Sequence, residues 1–129
     1  MEQQRYLIDS NAMIDYLGGK LPVAGAEFMN SVVDTTPVLS IITKIEVLGY
    51  PVPGEHEQSL VGFINDSIVL PLNNEIADKC IGIRKVQKIK LPDAIIAATA
   101  LINNLTLITR NTADFQNIDG LQIIDPHKI

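Results

Sequence analysis

The sequence predicts an α/β domain with a mostly parallel central sheet flanked by helices on both faces. Short apolar runs of strand length alternate with longer segments of helical spacing, which implies right-handed crossovers between parallel strands. Four acidic residues, Asp9, Glu46, Asp93 and Asp114, each close an apolar segment. In a parallel α/β sheet the carboxyl ends of the strands open on one side, where ligands bind.

Residues 5–9 read as a short buried strand, and Ser10 or Asn11 can cap a helix running to Leu17, ended by Gly18-Gly19. A second helix covers residues 23–33 until Thr35-Thr36-Pro37 breaks it. Residues 38–40 form a strand and residues 42–48 a helix, followed by the turn-rich Gly49-Tyr50-Pro51-Val52-Pro53-Gly54. Residues 57–65 have helical spacing, with Leu60, Phe63 and Ile64 on one face. Residues 68–72 read as a strand, and Asn73 or Asn74 can cap a long helix to about Lys88. Residues 91–103 form a helix apolar on nearly all sides, which should run through the interior. Residues 105–109 and 121–124 complete the strands.

At 129 residues the chain is long enough to bury a sizeable core in one domain. Its 47% apolar and 19% charged content is ordinary for a soluble globular protein. No apolar run approaches the roughly 20 residues a membrane span needs. The start, Met1-Glu2-Gln3-Gln4-Arg5, lacks the basic lead and cleavage site of a signal peptide. Cys80 is the one cysteine, so no internal disulfide forms; this fits a reducing cytoplasm and a buried structural thiol.

The net charge of −5 argues against a general nucleic-acid binder, because phosphate contacts need cations. Distribution softens that objection: Lys79, Arg84, Lys85, Lys88 and Lys90 hold half of the ten basic residues within twelve positions. A solvated helix face explains Arg84, Lys85 and Lys88 equally well.

Each acid has an ordinary explanation on its own. Asp9 suits a turn or a helix cap after a strand. Thr43-Lys44-Ile45-Glu46 matches a capping box, in which the Glu reaches back to the cap amide. Asp114 closes the turn-forming Asn111-Thr112-Ala113-Asp114. Asp93 follows Pro92 at a helix start, where the dipole favours a carboxylate. Yet the next ten residues carry no charge, and a carboxylate leading so apolar a helix faces desolvation unless it is hydrogen-bonded or bound to a cation. Carboxylates gathered at one spot repel each other, and divalent cations are the usual remedy, which points to metal-dependent phosphate chemistry.

The local strings go further. Tyr6-Leu7-Ile8-Asp9-Ser10-Asn11, followed by Ile14-Asp15-Tyr16-Leu17, resembles the opening of PIN domains. Ser40-Ile41-Ile42-Thr43-Lys44-Ile45-Glu46 resembles the family's second motif, with its Glu on a helix. Leu91-Pro92-Asp93-Ala94-Ile95-Ile96-Ala97-Ala98-Thr99-Ala100 is similar to the third, and Leu107-Ile108-Thr109-Arg110-Asn111-Thr112-Ala113-Asp114-Phe115 to the fourth. Size and wording look most like VapC-type ribonuclease toxins of toxin–antitoxin pairs, with residues 1–129 a single PIN-like domain.

That resemblance implies a cytoplasmic endoribonuclease using Mg²⁺ or Mn²⁺, with Asp9, Glu46, Asp93 and Asp114 as the acidic site. Asp9 and Asp93 would be the principal metal ligands, Asp114 a direct or water-mediated one, and Glu46 would bind a second ion or place the attacking water. Asn111 stands where many members carry Asp, so either Asp114 or Asn111 supplies the fourth group, the amide offering oxygen without charge. Ser10, Asn11, Thr43 and Thr109 match positions that orient the carboxylates. Arg110, with Arg84, Lys85 and Lys88, is a candidate RNA contact. The implied partners are an RNA substrate, a cognate antitoxin and a second copy of the chain, for which Phe28 and Met29 are candidate contacts.

His56 and His127 fall outside every motif and read as surface residues. A receiver-like signalling module would need an adjacent acidic pair after the first strand, where Ser10 and Asn11 stand instead. A haloacid-dehalogenase-like phosphatase would need an Asp at position 11. A PIN-like protein that binds without catalysis is the remaining alternative.

Overall fold

The computed structural model describes residues 5–129; the stretch 1–4, read above for a leader, lies outside them. The chain runs β1 (Tyr6–Ile8), α1 (Ser10–Leu17), α2 (Val23–Asp34), β2 (Val38–Ser40), α3 (Ile41–Leu48) and α4 (Gly54–Asn65), then β3 (Ile68–Leu70) and α5 (Asn74–Val86). It continues through α6 (Leu91–Ile102), β4 (Thr106–Ile108), α7 (Thr112–Phe115) and β5 (Ile123–Ile124).

All strand pairs are parallel: β1 with β4, β4 with β5, and β2 with β3. β1 also lies against β2, which sets the two ladders side by side in the order 3-2-1-4-5. Successive side chains of a strand point to opposite faces, and the core divides accordingly. Leu7, Val38 and Leu107 join α5, α6 and α7 on one face. Ile8, Leu39 and Ile108 join residues of α1 to α4 on the other. The expected parallel sheet between two helical layers is therefore present.

α6 meets its expectation most fully, since every residue from Ala94 to Ala100 is buried. Four alanines in that stretch give the neighbouring elements close access, and Pro92 sits in the first turn, where no helical N–H is lost. Cys80 is buried too, and burial pushes its thiol up.

Several local expectations are corrected. The α1 cap is Asp9, whose carboxylate accepts from the Ser10 amide, rather than Ser10 or Asn11. Ser40 caps α3 through the Ile42 amide, so Thr43 is a helical residue and Thr43–Glu46 is no capping box. α4 starts three residues earlier than its apolar spacing indicates, because its first turn is wholly exposed and leaves no hydrophobic period to read. The turn-forming run after Asn111 is a short helix, α7, anchored by fully buried Phe115.

Met29 is fully buried beneath the α1–α2 face and cannot reach a second copy; Phe28 packs edge-on against Tyr6 with ring centroids 5.3 Å apart. Among the described residues, no helix is long and apolar enough to cross a membrane.

Candidate active site

Asp9 follows a strand end and Asp93 lies at a helix start, whereas Glu46 lies in the second half of α3 and Asp114 within the short α7. Asp9 follows β1, and its amide donates to the Ile108 carbonyl at 2.9 Å, extending the β1–β4 register by one residue. Asp9 is only 5% exposed. Its Oδ1 accepts from the Ser10 amide at 2.8 Å, and its Oδ2 accepts from the Thr109 hydroxyl at 2.8 Å and the Asn11 side-chain amide at 3.1 Å. Burial pushes the Asp9 carboxyl above its ordinary range, and the charges of Asp93 and Glu46 add to this; the Thr109 and Ser10 bonds oppose it.

Glu46 projects from α3, which starts directly at the end of β2. Its Oε1 accepts from the Ser10 hydroxyl at 2.8 Å, and Ser10 also meets the buried Thr43 hydroxyl at 3.3 Å. Asp93 lies in the first turn of α6 and is partly buried. Burial raises its carboxyl, with the charges of Asp114 and Glu46 adding to the rise and Lys90 opposing it. Among the described residues, no Lys or Arg pairs directly with any of the four acids.

Asp9, Glu46 and Asp93 line one groove of ≈ 870 Å³, together with Ser10, Asn11, Arg110 and Asn111. Asp114 stands exposed on α7, near enough to Asp93 to repel it but outside the groove wall. Asn111 faces the groove, and its backbone amide donates to Thr109 Oγ at 3.1 Å. Thr43 and Thr109 are fully buried beneath this surface.

The chain matches a family model described as the PIN domain over residues 6–121. The chain belongs to the PIN domain family. Its resemblance to VapC-type members holds over nearly the whole chain. A toxin–antitoxin complex from Klebsiella pneumoniae matches at 32% identity and a TM-score of 0.74, covering 96% of this chain and 99% of that one. A DNA-bound VapBC from Salmonella typhimurium matches at 26% identity and a TM-score of 0.80, covering 96% and 99%. VapBC-1 from nontypeable Haemophilus influenzae matches at 26% identity and a TM-score of 0.77, covering 95% and 98%. Among curated protein sequences, no relative matches.

In this PIN domain the basic run of α5 stays apart from the groove. Arg84 and Lys85 occupy the exposed last turn of α5, where they favour the helix dipole, and Lys88 follows the helix. The cations of the groove wall are instead Lys20 and Arg110. Tyr50 and His56 also line it, and no apolar period or motif singled them out.

His127 differs from its surface expectation: its Nε2 lies 2.8 Å from Asp15 Oδ2, and the side chain is 27% exposed. Asp15, itself buried, also receives Arg110 Nη1 at 2.9 Å. A charged residue between Ile14 and Tyr16 was the available signal for Asp15. His127 had none, because its partner lies 112 positions away.

The donor set of the four acids is all oxygen, which suits a hard divalent cation. Among the described residues, no three His, Cys, Asp or Glu side chains are drawn together as a ready cage. Magnesium keeps several of its waters and needs only one or two carboxylates in direct contact, so the donors present fit it.

Proposed function

We propose that this PIN domain is a metal-dependent endoribonuclease that hydrolyses RNA phosphodiester bonds and acts as the cytoplasmic toxin of a toxin–antitoxin pair. One observation carries the reading: Asp9, Glu46 and Asp93 share a groove, with Asp114 beside them, and among the described residues no basic side chain pairs with any of the four. So concentrated a negative charge disfavours bare RNA and favours a cation between the acids and a phosphate. The likeness to toxin–antitoxin complexes along almost the entire chain supports the same reading.

Asp9 and Asp93 would hold Mg²⁺ or Mn²⁺, Asp114 would contribute through water, and Asn111 would offer a neutral oxygen. When bound, such an ion makes water a better nucleophile and stabilises charge on the leaving oxygen. The chain prepares its own side of the chemistry. Thr109 and Asn11 fix Asp9 Oδ2, leaving its orientation set before any ligand arrives. Ser10 fixes Glu46 Oε1 at the groove wall, where the carboxylate can accept a proton from an attacking water or take a second ion.

A cognate antitoxin would occupy the acidic groove with a basic segment, which the charge of the site favours. A second copy of the chain would complete a homodimer through a face other than buried Met29.

The deciding experiment incubates the purified, antitoxin-free protein with total cellular RNA and Mg²⁺ or Mn²⁺, beside EDTA and Asp93→Asn controls. Discrete products that vanish in both controls support the reading. Equal cleavage by Asp93→Asn removes it. A folded wild type that binds Mn²⁺ but cuts nothing points to a PIN-like binding protein, the second reading that Asn111, an uncharged residue in the fourth motif, favours.

A further inference from the structure

Arg110 is held at both ends by α1. Its backbone amide donates to Asn11 Oδ1 at 2.9 Å, and its guanidinium Nη1 donates to Asp15 Oδ2 at 2.9 Å. Asn11 and Asp15 are four residues apart, which stacks them on one face of the helix. Asp15 is 5% exposed, whereas the Arg110 side chain is 52% exposed and lines the acidic groove. The same Asp15 oxygen meets His127 Nε2, brought by the C-terminal segment. That segment is seated against α2, where Gly25 leaves room for the Pro126 carbonyl.

A long cation beside Asp9, Glu46 and Asp93 would be drawn into those carboxylates if it were free to swing. Asp15 restrains it, while the rest of the guanidinium fork stays open to the groove. Arginine's planar fork is suited to phosphate. We infer that Asp15, braced by His127, is a positioning residue that holds Arg110 at the groove rim for a backbone phosphate flanking the one cleaved. This rests on the nuclease reading above and extends it to the path of the strand.

The test is a double-mutant cycle on the full chain. The probe is a fluorescein-labelled, randomised single-stranded RNA 12-mer, followed by anisotropy in Mg²⁺. Asp93→Asn is present in every protein so that bound RNA is not cut. Arg110→Ala and Asp15→Asn should each weaken binding about tenfold, the scale of one lost charge-assisted contact. With Arg110 already removed, Asp15→Asn should cost nothing more. His127→Gln should weaken binding less than either, and likewise only when Arg110 is present.

Equal loss from Asp15→Asn in both backgrounds would assign Asp15 to the fold alone and overturn the inference. So would unchanged binding by Asp15→Asn in the presence of Arg110. Should Asp15→Asn fail to fold, Asp15→Glu keeps the charge and moves the oxygen by one methylene, and the same two outcomes decide. Cleavage of total RNA by the otherwise wild-type chain is scored separately. Its absence removes the nuclease reading, whereas an additive cycle removes only the positioning.

Discussion

Thr109 donates its hydroxyl to Asp9 Oδ2 at 2.8 Å across the β1–β4 ladder, although the two residues stand 100 positions apart. The bond joins the end of one strand to the end of its neighbour. The same hydroxyl oxygen accepts from the Asn111 amide at 3.1 Å. A single buried side chain therefore ties Asp9 to the loop that carries Arg110 and Asn111.

Thr109→Val, which keeps the shape and removes the hydroxyl, should lower Mn²⁺ affinity about tenfold, the scale seen when a ligand loses its orienting partner. Because the Thr109 bond lowers the Asp9 carboxyl, its loss should raise that carboxyl further. The acid limb of the cleavage profile should move to higher pH, and Thr109→Ser should restore it. Calorimetric titration and a pH–rate series check this; unchanged values in the Val variant would refute it.

Asp93 carries a penalty in the metal-free fold. Its folded carboxyl is raised above the ordinary value of 3.8, so ionisation disfavours the folded state. Stability is fullest below that value and is lost as pH rises from there through the raised folded one. Asp93→Asn should consequently melt higher than wild type at neutral pH in EDTA, while abolishing cleavage. The difference should close in acid, and Mg²⁺ should raise the melting temperature of the wild type more than that of the variant.

The proposed cation site requires Asp9 and Asp93 to be deprotonated, and both carboxyls are raised, by burial first and then by neighbouring acids. Mn²⁺ affinity should accordingly weaken with falling pH, beginning above the range of an ordinary carboxylate. Isothermal titration at stepped pH reads this directly. Affinity flat down to the ordinary carboxylate range would show that neither group is a ligand.

Gly25 faces the Pro126 carbonyl so closely that any added Cβ would overlap it. Gly25→Ala should destabilise the protein by about 1–3 kcal/mol, the range for overpacking a filled site. It should also loosen the segment that carries His127. Urea denaturation measures the first effect, and hydrogen exchange across residues 123–129 the second.

Much of the fold was legible because it is local. The apolar period of α6 and the strand-length runs around Leu7 and Leu107 need no knowledge of their partners. The acids were legible as motif members. The end of β1 carries Asp9, and α3, which starts directly after β2, carries Glu46. Nothing local distinguishes α7 from a turn, because four residues give too short a window for helical spacing. The basic run of α5 is legible as charge, but charge along a helix does not report which way the helix turns, and Arg84, Lys85 and Lys88 do not line the groove.

Local patterning is enough to specify the alternation of strands and helices, the buried α6 and the four acids with the residues flanking them. Packing in three dimensions sets Ser10 on Glu46 rather than at its own helix end, gives the groove wall Lys20 and Arg110, and brings His127 to Asp15. Periodicity is a property of neighbours along the chain, whereas these contacts join residues from 36 to 112 positions apart. Closing such loops costs entropy that only the assembled core offsets, so the pairing is settled by packing and leaves no local trace.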